Sequence, residues 1–96
     1  LLMRYKSLEE FTAASTAPGA AVIKDQWALQ NLAKAARHAE IMFWSDKVPR
    51  NLQNRMFVTP VPSLADGLAQ ALAKHGPKAR VTVMPWGPYV LPYVER

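Results

Sequence analysis

The side chains best suited to chemistry in this sequence are two histidines and two isolated aspartates. His38 and His75 each fall near the end of a predicted helix, where an imidazole complements the helix dipole, and neither has carboxylates at a metal-site spacing. Asp25 and Asp46 stand alone, and Asp25 fits the first turn of a helix. Phosphate-binding glycine loops, nucleophile elbows and paired carboxylates do not occur. The sequence therefore assigns no catalytic, cofactor-binding or metal-ligating residue.

Candidate ligand contacts lie instead where predicted strands end. In open parallel sheets, ligands bind beyond the carboxyl ends of the strands, so the residues that follow the strands form the edge of any cleft. This predicted cleft edge consists of Ser45, Asp46, Thr59, Trp86, Gly87 and Tyr89. Their types specify no reaction, and the alternative is that they form ordinary loops or contact another domain.

Two helix-then-strand units would position these residues. The main helix is predicted to begin between residues 20 and 25 and to end near Ala39, with a face rich in alanine and leucine against a sheet. A second helix begins after the capping sequence at Ser63, should turn Leu64 and Leu68 to the sheet, and ends at a Gly-Pro pair. A shorter helix begins at Ser7 and stops before the first Pro-Gly pair.

Short apolar runs predict the strands. They cover residues 40–44, 56–58 and 80–84, and residues 89–94 could form an edge strand limited by Pro92. Because helical segments separate these runs, the crossovers should be right-handed and the sheet mainly parallel.

The predicted fold class is α/β. We expect a small three-layer fragment in which helices flank a mainly parallel sheet of about three short strands. So few strands rarely make a complete sheet that is covered on both faces. Residues 1–96 are therefore expected to form one segment of a larger Rossmann-like domain, an expectation that fits a chain beginning with Leu1 rather than methionine.

One residue breaks the pattern of the main helix. Trp27 falls on its polar side, opposite the face predicted to meet the sheet, with Asn31 and His38 nearby. A tryptophan offers a large apolar area that normally finds cover. Either Trp27 packs locally, on the first short helix or on residues 20–23, or these three residues form an interface with a neighbouring domain.

Composition narrows the remaining possibilities. The net charge of +5 points to an anionic partner in general, but the basic residues are scattered, which argues against a nucleic-acid groove. No apolar run is long enough to cross a membrane, which needs about 20 residues. The chain contains no cysteine, which excludes disulfides and is compatible with the predicted cytoplasmic location.

Three segments resemble one known family. Residues 25–33 (DQWALQNLA), 62–68 (PSLADGL) and 79–89 (ARVTVMPWGPY) are similar to segments of the lactate racemase family, in the same order. The similarity extends over residues 7–92. Members of this family are racemases and epimerases of 2-hydroxyacids that depend on a nickel-pincer nucleotide, and the similar part is the later portion of their C-terminal domain.

The resemblance implies a scaffold rather than an active site. In the family, the catalytic histidines and the residues that hold the cofactor belong to the N-terminal domain, which this chain does not match. The glutamine and lysine that contact substrate precede the matched segment, so Gln26, Gln30 and Lys34 do not take over that role. The expected partners are the N-terminal catalytic domain of a parent protein and, in that parent, a small 2-hydroxyacid.

Two other function classes stay open. A free-standing protein-interaction module would require Met3 to be a genuine start and the chain to fold alone. A basic nucleic-acid-binding domain would show binding that weakens steeply with salt.

Overall fold

A computed structural model describes residues 2–95, which form four α-helices and a sheet of two short parallel strands. The elements in chain order are a 3-10 turn at Leu2–Arg4, α1 at Leu8–Thr16, α2 at Gln26–Ala36, β1 at Met42–Phe43, α3 at Arg50–Gln53, β2 at Thr59–Pro60, α4 at Leu64–His75 and a 3-10 turn at Gly87–Tyr89. The α/β class is confirmed. No helix in this part of the chain has the length and apolar character to cross a membrane.

Serine caps begin α1 and α4, as the sequence predicts. The Ser7 hydroxyl accepts a hydrogen bond from the Glu10 amide at 3.0 Å, and the Ser63 hydroxyl accepts one from the Asp66 amide at 3.0 Å. Each bond satisfies an amide that the first helical turn leaves without a partner. At the other end of α4, Gly76 adopts a φ of 94° and donates to the Leu72 carbonyl, which stops the helix where predicted.

Helix α2 is shorter than predicted at its C-terminal end. Asp25 is its N-cap residue rather than part of the first turn; it adopts a left-handed conformation (φ 63°) and its side chain makes no cap bond. The helix ends at Ala36, before the predicted Ala39, and turns follow. On the predicted inner face Leu29 and Ala33 are buried, whereas the flanking alanines remain exposed.

The two strands form a parallel ladder that joins distant parts of the chain. The Thr59 amide donates to the Ile41 carbonyl at 2.8 Å, and the Val61 amide donates to the Phe43 carbonyl at 2.9 Å. β2 starts later than the predicted residues 56–58, because Phe57 has a positive φ of 58° that breaks an extended run. Pro60 is tolerated within the ladder because the amides of its two neighbours, not its own nitrogen, face β1.

Helix α4 lies against the end of β2 through its glycine. Gly67 is buried, and a Cβ atom built on it would lie 3.2 Å from Cγ2 of Val61. The absence of a side chain therefore permits this close approach. The predicted inward-facing leucines are not covered, however, since Leu64 is 71% exposed and Leu68 is 47% exposed.

The predicted third strand does not form in this structure. Residues 80–84 have no strand partner, and the same is true of the predicted edge strand at residues 89–94, so the sheet of the described chain has two strands rather than about three. From Pro77 to Glu95 every residue except Ala79 is exposed. Isolated extended segments are not stable, because their backbone hydrogen bonds require a neighbouring strand.

The buried apolar core is small and the surface is large. Phe11, Leu29, Ala33 and Val61 are the apolar residues that become buried in the described chain. The accessible surface of 8190 Å² exceeds the roughly 5,500 Å² of a compact protein of this mass. The radius of gyration is 15.7 Å, against about 12.5 Å for a compact domain of this length. The chain thus leaves much apolar surface without cover.

Phe11→Ala should destabilise this chain more than any surface substitution. The ring is 1% exposed and packs edge-on against Tyr5 with ring centroids 5.2 Å apart. Its truncation is expected to lower the free energy of unfolding by about 3–5 kcal/mol, measured by urea unfolding followed by circular dichroism. Val22→Ala, at a side chain that is 92% exposed, is the control and should change it by about 0.5 kcal/mol or less. Equal effects would contradict the placement of Phe11 in the core.

Candidate functional site

An open groove lies between α4 and the sheet. Its volume is about 530 Å³. Its apolar walls are Met42, Trp44, Val61, Leu64, Leu68 and Ala71, and its polar end is formed by His38, Glu40, Lys74 and His75. The strand residues belong to one face of the sheet, because side chains two positions apart in a strand point the same way. We call this feature the α4 groove.

A three-residue hydrogen-bond cluster closes the polar end of the α4 groove. The Lys74 ammonium donates to Oε2 of Glu40 at 3.1 Å, and the Thr59 hydroxyl donates to Oε1 of Glu40 at 3.1 Å. These two hydrogen bonds, with that from Lys74 the stronger, lower the pKa of the Glu40 carboxyl below its ordinary value of 4.5. The cluster joins Glu40, two residues before β1, to the first residue of β2 and to the last turn of α4, so it links the helix to the ladder.

A buried glutamine holds the loop that follows β1. The side-chain amide of Gln53, in α3, donates to the Ser45 carbonyl at 3.1 Å and to the Val48 carbonyl at 2.6 Å. Gln53 is 4% exposed, and its side-chain oxygen has no partner among the described residues. The loop that carries Ser45 and Asp46 is therefore anchored at both ends by one side chain.

The structure does not gather the predicted cleft edge into one site. Ser45 and Asp46 lie in the anchored loop, where the Asp46 carboxylate is 3.7 Å from the exposed Lys47 ammonium. Thr59 lies within β2, not beyond its end, because that strand starts later than predicted. Trp86, Gly87 and Tyr89 lie in the exposed C-terminal segment, and Trp86 lines a shallow depression formed by residues 82–93 alone. Ligand contact by these residues stays a prediction.

Two of the three predicted interface residues lie on α2, one turn apart, and the third follows the end of that helix. Trp27 and Asn31 are exposed on α2, and Trp27 keeps 67% of its surface exposed. Most of the indole is therefore left uncovered by α1 and by residues 20–23. His38 follows the end of α2 and lines the α4 groove instead. Whether a neighbouring domain covers Trp27 stays a prediction.

The α4 groove combines an apolar wall with a polar end that carries two histidines, a glutamate and a lysine. The lining of the α4 groove contains no serine or cysteine, and the hydroxyl of Thr59 in the adjoining cluster donates to Glu40 rather than to a histidine. Within residues 2–95, no three histidine, aspartate or glutamate side chains converge as a metal site would require. The groove offers apolar surface with a polar end, a combination that suits a covering protein segment.

The sequence alone predicts neither the Glu40–Lys74 pair nor the buried Gln53 side chain. Glu40 and Lys74 are 34 residues apart, and no local spacing connects a residue before a strand with the last turn of a later helix. Gln53 lies in a single helical turn, where a polar side chain is ordinarily exposed. In both cases the partner is brought near by tertiary packing, so the sequence carries no short-range signal.

Comparison with known proteins identifies the family. A family model described as the lactate racemase C-terminal domain matches residues 2–91. This chain belongs to the lactate racemase C-terminal domain family. The resemblance inferred from its three segments is thereby confirmed. A lactate racemase of Lactiplantibacillus plantarum is 34% identical to the chain over 74 residues.

The chain aligns with only a small part of the related racemase. The alignment with the racemase includes 77% of this chain but 18% of the relative, so the chain spans less than a fifth of the length of the protein it matches. No solved structure matches the chain. All residues that line the α4 groove lie within the matched residues 2–91. The exposed C-terminal segment begins within this match and continues beyond it.

Glu40→Gln should flatten the acid side of the stability profile. Because the carboxyl's pKa is lower in the folded than in the unfolded chain, its stabilising contribution is complete above about pH 4.5. It is lost as the pH falls through the lowered folded-state value. Urea unfolding at pH steps from about 6 to 3 should show a shallower decline for Glu40→Gln than for the wild type.

Lys74→Gln is the matched variant, because it removes the main cause of the lowered pKa and keeps the carboxyl. It should also decline less steeply than the wild type. Identical acid slopes in all three proteins would show that the cluster does not form in solution.

Proposed function

We propose that this chain is the later part of the C-terminal domain of a larger cytoplasmic 2-hydroxyacid racemase or epimerase. In that parent it would act as scaffold and as an interface with the N-terminal catalytic domain. The surrounding C-terminal domain would be Rossmann-like, with the two strands seen here belonging to a wider parallel sheet. The observation that carries the proposal is the family match over nearly the whole chain, joined to its coverage of only 18% of the related lactate racemase.

The exposed surface supports an interface role. The chain has about half as much surface again as a compact protein of its mass, and large apolar side chains contribute to it. Among them are Trp27 on α2, Leu64 on α4, and Trp86 and Leu91 in the C-terminal segment. Exposed apolar surface on this scale marks contact regions. A larger parent protein would provide the cover.

The nickel-pincer nucleotide of the proposed parent does not fit the residues described here. Metal sites in proteins are commonly built from histidine, cysteine, aspartate or glutamate, and within residues 2–95 no three such side chains come together. The cofactor is therefore assigned to the remainder of the parent, and no reaction step is assigned to this chain. What the chain would supply is a fixed support through its serine caps, parallel ladder and Glu40 cluster.

The proposal predicts activity in the parent and none in the chain. The complete reading frame that encodes this chain should span several hundred residues, and its product, purified with its cofactor, should interconvert D- and L-lactate. Chiral chromatography of each enantiomer after incubation measures this, with the 96-residue chain as the inactive control. A reading frame that begins at Met3 and stops after Arg96 would contradict the proposal. So would a cofactor-loaded parent without activity on lactate or on other 2-hydroxyacids.

Trp27→Ala in the parent should loosen the contact between domains and leave the sheet intact. Truncating a buried interface tryptophan typically costs about 2 kcal/mol or more, so scanning calorimetry should show the domain transitions separating. Gln70→Ala is the control, because Gln70 is an exposed polar residue of α4 that does not line the α4 groove. Unchanged coupling between domains, together with a large loss of stability in the 96-residue chain, would assign Trp27 to local packing.

A further inference from the structure

The outer edge of β2 is unsuited to another strand. Thr59 and Val61 direct their amides to β1, so the backbone of the alternate residues Pro60 and Pro62 faces the outer edge. Neither proline has an amide hydrogen to donate there. The Arg50 guanidinium lies 3.5 Å from the outward-facing Pro60 carbonyl, and it also donates, at 3.2 Å, to the carbonyl of Val61 just beyond the strand. A third strand on this edge would lack donors and meet a side chain.

The free edge of β1, in contrast, has backbone donors and acceptors available for another strand. Because Ile41 and Phe43 point their carbonyls at β2, the backbone amides and carbonyls of Met42 and Trp44 face away from it. In the described chain β1 pairs with β2 alone. The side chains of Met42 and Trp44 line the α4 groove, so this receptive edge runs directly beside the groove.

The chain carries a segment suited to that edge. Residues 80–84 (RVTVM) contain β-branched residues at three successive positions, and Val81 and Val83 are 56% and 77% exposed. Four residues connect the end of α4 to this segment, a common length for a helix-to-strand connection. A right-handed β2-α4-strand crossover gives the segment the same direction as β1.

We propose that residues 80–84 add to the free edge of β1 as a third parallel strand, which gives the sheet order β2-β1-β3. In the structure the segment lies off the sheet, and the proposed movement turns it into a strap that closes one side of the α4 groove. The tether favours this occupant over a free partner, because a short linker keeps its segment at an effective concentration in the millimolar range.

Closure of the strap would also assemble the predicted cleft edge. Parallel strands present their carboxyl ends at one edge of a sheet. Ser45 and Asp46 follow β1, and Trp86 and Tyr89 follow residues 80–84, so docking brings the two groups to the same edge. This inference does not require the parent to be a racemase, and its failure would leave the proposed function untouched.

Amide exchange in the 96-residue chain, followed by nuclear magnetic resonance, tests the new ladder. The amides of Met42 and Trp44 should exchange about tenfold or more slowly than in an unstructured peptide. Ending the chain after Ala79 should abolish this protection, whereas ending it after Met84 should preserve it. The Thr59 amide, which bonds to Ile41, reports whether the β1–β2 ladder survives each truncation.

A spin label tests the same contact without removing the segment. The chain has no cysteine, so Pro85→Cys provides one unique attachment site directly after the proposed strand. A nitroxide there should broaden the amide signals of Ser45 and Asp46 more than those of Glu40 and Ile41 at the opposite end of β1. Equal broadening, or none, would overturn the proposal even if the truncated chains unfold.

Two patterns of protection at Met42 and Trp44 would assign the edge to another occupant and so overturn the proposal. Protection that rises with protein concentration would assign it to a second copy of the chain. Protection that persists when the chain ends after Ala79, with Thr59 still protected, would show that residues 80–84 do not form the strand.

Discussion

A short parallel ladder of backbone hydrogen bonds joins parts of this chain that are distant in sequence. The Thr59 amide reaches the Ile41 carbonyl and the Val61 amide reaches the Phe43 carbonyl, at 2.8 and 2.9 Å. Everything before β1 is thereby connected to α4, and the Glu40 cluster and the Gly67 contact with Val61 depend on the same alignment. So short a ladder is marginal by itself, which explains why the fold depends on side chains that bridge the strands and α4.

Local signals made the helices predictable. Ser7 and Ser63 cap α1 and α4 through bonds to residues three positions on, and Gly76 stops α4, so these boundaries depend on residues close in sequence. The strands were harder to predict from the sequence, because strand pairing depends on residues that are distant along the chain. Residues 80–84 have strand composition but no partner in the structure, and the positive φ of Phe57 shifts β2 in a way that composition does not reveal. The Glu40 cluster and the Gln53 anchor are tertiary, and no spacing predicts them.

The family assignment and the physical character of the chain are both consistent with the proposed supporting role. The chain matches a C-terminal domain family almost throughout, yet aligns with less than a fifth of the related racemase. Its core is small and its surface is large for its mass. A segment cut from a larger hydrophobic core has these properties, because the residues that would meet the rest of the core become surface. Under the proposed function, Trp27, Leu64 and Leu68 are exposed apolar residues that the remainder of the parent would cover.

The prolines of β2 have a consequence for self-association. A sheet with two receptive edges can recruit copy after copy and grow into a fibre. Pro60 and Pro62 remove the donors from one edge, so the sheet keeps a single receptive edge, that of β1 or, once residues 80–84 add to it, that of the new strand. If two copies met through that edge, each would cover the other's donors, and the assembly would close as a symmetric pair. A chain with so much exposed apolar surface is thus protected against open-ended aggregation through its sheet by two residues that cannot donate a hydrogen bond.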